Sequence, residues 1–264
     1  MRDDCLAKAC GWIDARLDLF RERTTRDARW PPSLKSIAEL GHAAILVGAR
    51  GDEERAQRWL AHAWRAMRDG DAVLDLLAHS APAIVLLAPF RAAGLVDEDV
   101  VATAAARART MRSTPEEQLY VTAALGDRPA GILAARPPPW SLDLRAAYQL
   151  AHEVFYRTRW GLDAHVLDAA EATWLRTWLP VWSQDAMEQL DLDLLAELAI
   201  AAHGAGACAE VASWDALRGG QRDDGAMARP PSRRVDFGAT GDRDFDEHHH
   251  STLVAIMAWA VCHH

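Results

Sequence analysis

A segment near the end of the chain has no polar side when it is drawn as a helix: it reads Ser251-Thr252-Leu253-Val254-Ala255-Ile256-Met257-Ala258-Trp259-Ala260-Val261-Cys262. Surface helices carry an apolar stripe beside a charged face, whereas a helix that is apolar all round is buried. We therefore expect a buried helix here. The preceding residues 242–250 contain four acids and three histidines, which the helix should carry to the edge of the core.

The rest of the chain has helical periodicity. Apolar residues at spacings of three and four predict a first helix over 2–25, with an apolar stripe of Leu6, Cys10, Ile13, Leu17 and Phe20. There is no convincing strand alternation and no glycine-rich phosphate loop. Apolar segments that stop at small residues recur, as in paired helices. The sequence predicts an all-α protein with one domain over 1–264, arranged as an α/α toroid or a helical solenoid.

Several helix boundaries are predicted from local signals. Asp52 should begin a helix, and Thr114-Pro115-Glu116-Glu117 has the cap, the proline and the acid of a helix start. Later helices are expected over 164–182, 184–203 and 208–218, with Pro180 ending or bending the first. The glycine- and proline-rich stretch 219–247 is predicted to be a long loop or lid.

The composition excludes some partners. The formal net charge of the 264 residues is −9 and there is no basic tract, which argues against nucleic-acid binding. No signal-peptide pattern and no bilayer-length apolar run occur, which argues against a membrane location. The four cysteines form no C-x-x-C pair. We expect reduced thiols in a cytoplasmic protein, and the sequence has no signal for its oligomeric state.

The first candidate site is the acid and histidine cluster before the last helix. Asp246 and His250 are four residues apart, so a carboxylate can hold the imidazole on one helix face. Such a carboxylate fixes the tautomer and leaves the other ring nitrogen free as a base or a metal ligand. His249 and Phe245 are expected to contact the substrate.

The second candidate site is a helix from Ser141 to about Arg159. Tyr148, His152 and Tyr156 repeat at intervals of four and form a polar aromatic ridge that is suited to proton transfer. A core histidine bound to tyrosine fits the same pattern. Phe155 is a further candidate for substrate contact. Glu153 is expected on a neighbouring, solvated stripe with Arg145, Gln149 and Arg157.

The third hypothesis is a metal site. Glu39–His42 and Glu247–His250 each have the Glu-x-x-His spacing of carboxylate-bridged di-iron bundles. Glu197, within an apolar run, is an additional carboxylate. The metal would be iron in this hypothesis, or zinc in a metal-assisted enzyme.

The segment Tyr148-Gln149-Leu150-Ala151-His152-Glu153-Val154-Phe155-Tyr156-Arg157-Thr158, together with His250-Ser251-Thr252-Leu253-Val254, resembles an uncharacterised helical family of actinobacteria-type proteins that is linked to natural-product pathways. The resemblance implies a bacterial all-helical protein and no established activity. The predicted toroid is also similar in shape to lanthipeptide and terpene-type cyclases. Their cysteine-zinc and Asp-rich metal motifs are absent here, so neither activity is carried over.

These observations favour a tailoring enzyme acting on a small-molecule or peptide intermediate. His152 with Tyr148 and Tyr156, and His250 with Asp246, would line one cavity and catalyse a cyclisation, isomerisation or hydrolysis, with or without a metal. One alternative is a helical-repeat scaffold that binds a protein or peptide without catalysis. The other is a carboxylate-bridged di-iron oxygenase.

Overall fold

The computed structural model describes residues 2–23, 32–111, 121–122, 131–163, 166–228 and 240–262. The regular elements in these ranges are helices, and extended pairing is limited to an isolated antiparallel bridge between Gln221 and Met227. The α-helices are α1 (Arg2–Asp14), α2 (Pro32–Ala49), α3 (Glu53–Ala66), α4 (Asp71–Leu76), α5 (Ala88–Ala92), α6 (Glu98–Thr110), α7 (Ile132–Ala135), α8 (Leu144–Thr158), α9 (Ala169–Glu188), α10 (Leu192–Gly204), α11 (Val211–Gly219) and α12 (Arg243–Val261). The 3-10 helices are Leu17–Leu19, Arg68–Gly70, Ala81–Leu87 and Pro139–Ser141. The predicted all-α class is confirmed.

The chain divides into two compact units. The first unit comprises Met1–Ala15, Arg128–Arg234 and His248–His264, and the second comprises Arg16–Asp127 and Val235–Glu247. Residues 243–247 of α12 therefore belong to the second unit, and the remaining residues of this helix belong to the first. The single domain and the toroid or solenoid arrangement stay predictions. In the described ranges, no helix has both the length and the apolar character needed to cross a membrane.

In the first unit, α10 packs against both α8 and α9. The close approach of α10 to α8 depends on Gly204, because a Cβ there would lie 3.1 Å from the Thr158 side chain and 3.2 Å from Val154 Cγ1. Every residue of α12 from His249 onward is buried, as is Cys262, so the predicted buried helix is confirmed. The Cys262 thiol contacts the carbonyl oxygen of Ala199 at 3.5 Å and links the end of α12 to α10.

In the second unit, the main helix pair is α2 and α3. Asp52 begins α3, as predicted, and its side chain accepts the backbone N–H of Arg55 at 3.3 Å. Trp59, Ala63 and Met67 are fully buried along this stretch. A cap followed by an amphipathic stripe is sufficient to define this helix from local sequence.

The first helix is shorter than predicted. It ends at Asp14 rather than near residue 25, and the chain turns through the 3-10 helix Leu17–Leu19. The turn delivers Phe20 to a buried position in the second unit, where its ring packs edge-on against Phe245 at 4.9 Å between centroids. Tertiary packing of one aromatic side chain here overrides the continuing helical pattern.

The boundary between α9 and α10 also differs from the prediction. Helix α9 begins after Asp168, which forms a capping box with Glu171, and it continues through Pro180 to Glu188. The break falls at 189–191, where Leu190 has a φ of 55° and Asp191 caps α10. The correction matters because it places Asp191 and Asp193 at a helix N-terminus. The helix start predicted at Thr114–Glu117 lies outside the described residues.

Candidate functional site

The N-terminal turn of α10 supplies two buried acids. Asp191 is the cap and accepts the backbone N–H of Leu194 at 3.1 Å. Asp193 follows within the first turn, and both residues are at most 2% exposed. The unsatisfied N–H groups and the dipole of a helix N-terminus stabilise negative charge. The start of α10 therefore stabilises the two buried carboxylates.

Glu197 adds a third buried acid one turn further along α10. It lies four residues after Asp193, so the two side chains share one helix face. The residue is 2% exposed, and its Oε2 has no hydrogen-bond partner among the described residues. Glu197 lies beyond the first turn and gains little from the helix terminus. A buried carboxylate of this kind needs a compensating cation or donor.

His250 reaches the same place from α12. Its Nε2 lies 3.4 Å from Asp193 Oδ2, and its side chain is 6% exposed. Asp193, Glu197 and His250 each offer a ligand atom, and these atoms lie within 4.8 Å of one another. We call these three residues the buried triad. Within the described part of the chain, it is the one group of three or more His, Cys, Asp or Glu side chains arranged this closely.

Helix α8 borders the triad with Tyr148 and His152, which are one turn apart. The Tyr148 hydroxyl donates toward Asp191, with distances of 2.9 Å to Oδ1 and 3.1 Å to Oδ2, and it lies 3.2 Å from Asp193 Oδ2. His152 Nε2 lies 3.5 Å from Glu197 Oε1, and the His152 side chain is 25% exposed. His152 therefore connects the buried acids with solvent.

The structure thus brings two predicted histidines, His152 and His250, to neighbouring carboxylates of α10. Three helices contribute polar side chains to one group within the first unit. A buried set of carboxylates and imidazoles is suited to moving protons or to binding a divalent cation. Sequence reasoning named Glu197 only as an additional carboxylate and missed Asp191 and Asp193. The missed signal is Asp-x-Asp-x-x-x-Glu at the start of an apolar helix.

Other predicted residues near this group have different surroundings. Phe155 is buried on α8, with its ring centroid 6.0 Å from that of His152. Tyr156 packs edge-on against Trp160 at 5.4 Å. His249 is 1% exposed beside His250 on α12. Their predicted roles in substrate binding or proton transfer stay predictions.

Asp246 and Phe245 belong to the second unit. The Asp246 carboxylate, predicted to hold His250, instead accepts the backbone N–H of Thr240, at 3.0 Å to Oδ1 and 2.8 Å to Oδ2. The reason is that α12 begins at Arg243, which leaves Asp246 in its first turn beside the incoming chain. Phe245 packs on Phe20, as described above. The acid that the structure places next to His250 is Asp193.

The di-iron hypothesis named Glu39, His42, Glu247 and His250. Glu39 forms an ion pair with Lys35 at 3.1 Å, and Glu247 forms one with Arg243 at 2.7 Å. Burial lowers the pKa of His42 to about 3, against a smaller opposing effect of Glu39. Of the four residues, His250 belongs to the buried triad. The four-residue metal site stays a prediction.

The solvated stripe predicted on α8 is wrong for two of its members. Glu153 is fully buried, and its Oε2 accepts the backbone N–H of Leu133 at 3.2 Å. Burial raises the pKa of this carboxyl group. Arg157 is also buried and forms a bidentate ion pair with Glu171, at 2.9 and 2.7 Å. Gly131 permits the Glu153 contact, because a Cβ there would lie 2.3 Å from the carboxylate.

The predicted lid at 219–247 is described only in part, since residues 229–239 lie outside the described residues. Its first section is held within the first unit. Gln221 Nε2 donates to the carbonyl oxygen of Cys5 at 2.9 Å, and the backbone N–H of Met227 donates to Thr252 Oγ1 at 2.9 Å. The lid function stays a prediction.

Comparison with known proteins gives one result. The model of a domain of unknown function, DUF6895, matches residues 6–260. No curated protein and no solved structure matches the chain. A match of this extent covers nearly every element described above. The chain therefore belongs to the DUF6895 family.

Proposed function

We propose that the protein is an enzyme that performs acid–base chemistry at His152 and Tyr148 beside the buried triad. The observation that carries the proposal is the arrangement of His152 and His250 around the adjacent carboxylates Glu197 and Asp193. Buried ionisable groups with specific charged partners are typical of catalytic sites.

His152 is the proposed base. Its Nε2 faces Glu197, which favours the tautomer protonated on Nε2, with Nδ1 as the basic nitrogen. Its partial exposure gives a substrate a path to the ring. The separation of 3.5 Å from Glu197 is long for a hydrogen bond, and such contacts often tighten when a substrate binds.

Tyr148 is the proposed proton donor on the same helix face. Its hydroxyl, held by Asp191, lies one helical turn from His152. A base and an acid at this spacing support a proton removal at one substrate atom and a proton delivery at another. The reactions of this class are cyclisation, isomerisation and hydrolysis.

The proposed substrate is a small-molecule or peptide intermediate of a natural-product pathway in the bacterial cytoplasm. Its support is the resemblance of the α8 segment and of the start of the apolar helix to proteins linked with such pathways. The acidic net charge of −9 favours a substrate other than nucleic acid.

Metabolite profiling tests the proposal. Purified protein is incubated with a small-molecule extract of the source organism, and the products are compared by liquid chromatography and mass spectrometry. We expect at least one compound to change in mass or retention time with the wild-type protein and not with His152→Gln. His79→Gln, which alters an exposed histidine, should retain the change. A binding scaffold would leave every compound chemically unchanged.

A further inference from the structure

The buried triad has the dimensions of a metal site. Two ligands that each stand about 2.0–2.2 Å from a tetrahedral ion are about 3.3–3.6 Å apart. His250 Nε2 and Asp193 Oδ2 are separated by 3.4 Å, within this range. The Glu197 ligand atom lies within 4.8 Å of the other two, so a small side-chain adjustment completes a three-ligand set.

The charges at the triad favour a cation. Asp193 and Glu197 are buried on one face of α10, so two carboxylate groups lie close together away from water. Glu197 Oε2 is buried without a hydrogen-bond partner among the described residues. An oxygen in this situation is costly to bury, and a bound cation offsets the cost.

The surroundings of the triad resemble the outer shell of a metal site. Ligand carboxylates are commonly held by hydrogen bonds from neighbouring side chains, which fix their orientation. The Tyr148 hydroxyl lies 3.2 Å from Asp193 Oδ2, and His152 lies beside Glu197 Oε1. The side chain of His152, which borders Glu197, is 25% exposed and marks the side from which an ion would enter.

The ligand types identify the class of ion. One imidazole nitrogen with two carboxylate oxygens suits Mn²⁺, Fe²⁺ or Zn²⁺, whereas Ca²⁺ and Mg²⁺ prefer sites built from oxygen alone. Three protein ligands leave coordination positions open for water or substrate, as in catalytic rather than structural zinc sites.

We infer that Asp193, Glu197 and His250 bind one divalent first-row transition-metal ion. The site is new with respect to the Glu-x-x-His hypothesis, since two of its three ligands come from α10. The inference rests on the proposed function, because the metal would bind next to the proposed base. The ion would add a Lewis acid beside His152. Metal binding is measured without turnover, so the inference and the proposed function fail separately.

Calorimetric titration tests the inference. Tag-free full-length protein is freed of metal with a chelator and titrated separately with Mn²⁺, anaerobic Fe²⁺, Zn²⁺, Mg²⁺ and Ca²⁺. We expect about one transition-metal ion per chain, retained on gel filtration and measured by elemental analysis, with much weaker binding of Mg²⁺ and Ca²⁺. The melting temperature should rise with metal concentration, because the ion binds only the folded chain.

Matched variants locate the site. Glu197→Gln and His250→Gln should weaken binding by more than about 100-fold, beyond the effect of outer-shell substitutions. Glu153→Gln changes a buried glutamate of α8 outside the triad, and His42→Gln changes a buried histidine of α2. Both should retain binding. Far-UV circular dichroism confirms the fold of each variant.

Two results would overturn the inference. One is the absence of any stoichiometric transition-metal binding by the folded wild-type protein. The other is equal binding by the wild type, Glu197→Gln and His250→Gln, which would place the ion elsewhere. Glu197→Gln and His250→Gln locate the ion independently, so if one variant does not fold the other still decides where the ion binds.

Discussion

Two Glu-x-x-His motifs in this chain, Glu39–His42 and Glu247–His250, have the same local spacing and very different outcomes. Both glutamates form ion pairs with basic residues four positions away, Lys35 and Arg243. His42 is buried on α2 with a strongly lowered pKa. His250 lies beside Asp193, which comes from another helix. The comparison teaches that spacing within a helix places an imidazole, whereas the neighbouring helix decides whether that imidazole meets a buried carboxylate.

The largest effect should come from replacing each histidine with leucine. His250→Leu removes the imidazole beside the buried Asp193 carboxylate and should destabilise the fold by about 2–3 kcal/mol. His42→Leu exchanges a buried ring that is uncharged at pH 7 for an apolar side chain and should cost less than His250→Leu. Urea unfolding at pH 7 measures both values. Equal losses would remove the distinction between the two histidines.

The stability of the protein at acidic pH should report whether His42 is protonated in the folded state. Its folded pKa of about 3 lies below the ordinary value of 6.5, so the unfolded chain binds the proton more readily. Stability from this group is therefore present above pH 6.5 and is lost as the pH falls toward 3. Between pH 7 and pH 5 the loss should be about 2 kcal/mol.

Unfolding of the wild type and of His42→Leu at the two pH values measures this contribution. The variant should lose about 2 kcal/mol less than the wild type on acidification. An identical pH dependence in the two proteins would show that His42 is readily protonated in the folded state.

Removing the Tyr148 hydroxyl should have an intermediate effect. Tyr148→Phe deletes a hydrogen bond to a buried carboxylate and should cost about 1.5–2 kcal/mol, within the range for bonds to charged groups. The same variant should weaken metal binding by about 10-fold, because the hydroxyl also contacts Asp193. Urea unfolding and calorimetry give the two values. A stability loss with unchanged metal affinity would separate Tyr148 from the triad.

The smallest effect is expected at Glu153, a buried acid that accepts the backbone N–H of Leu133. Burial raises its pKa, so the folded state holds this proton to a higher pH than the unfolded state does. The stability from the protonated carboxyl is present below the unfolded pKa and declines as the pH rises through the folded pKa. Glu153→Gln should therefore gain stability relative to wild type on going from pH 4 to pH 7, measured by thermal unfolding. A relative loss over this interval would contradict the raised pKa.

The sequence was sufficient where local rules decide the structure. The apolar segment 251–262 predicts a buried helix because no face of it can meet water, and Asp52 predicts the start of α3 because a carboxylate satisfies free N–H groups. Both features depend on residues close together in the chain. The regular spacing of Tyr148 and His152 likewise placed them on one face of α8.

The sequence failed where distant residues decide the structure. The turn after Asp14 depends on Phe20 meeting Phe245, and the burial of Glu153 depends on the backbone of Leu133. Asp191 and Asp193 were missed because the helix boundary was placed near residue 183, which left them inside a helix rather than at its start. The partner of His250 is 57 residues away, at Asp193, and no local spacing predicts such a contact.

The most direct test of the account is X-ray absorption spectroscopy at the zinc edge of the tag-free protein loaded with Zn²⁺. The account predicts a first shell of nitrogen and oxygen at about 2.0–2.2 Å, with outer-shell scattering from an imidazole that disappears in His250→Gln. A sulfur shell at about 2.3 Å, which would assign the metal to the cysteines, or an imidazole signal unchanged by His250→Gln, would contradict it.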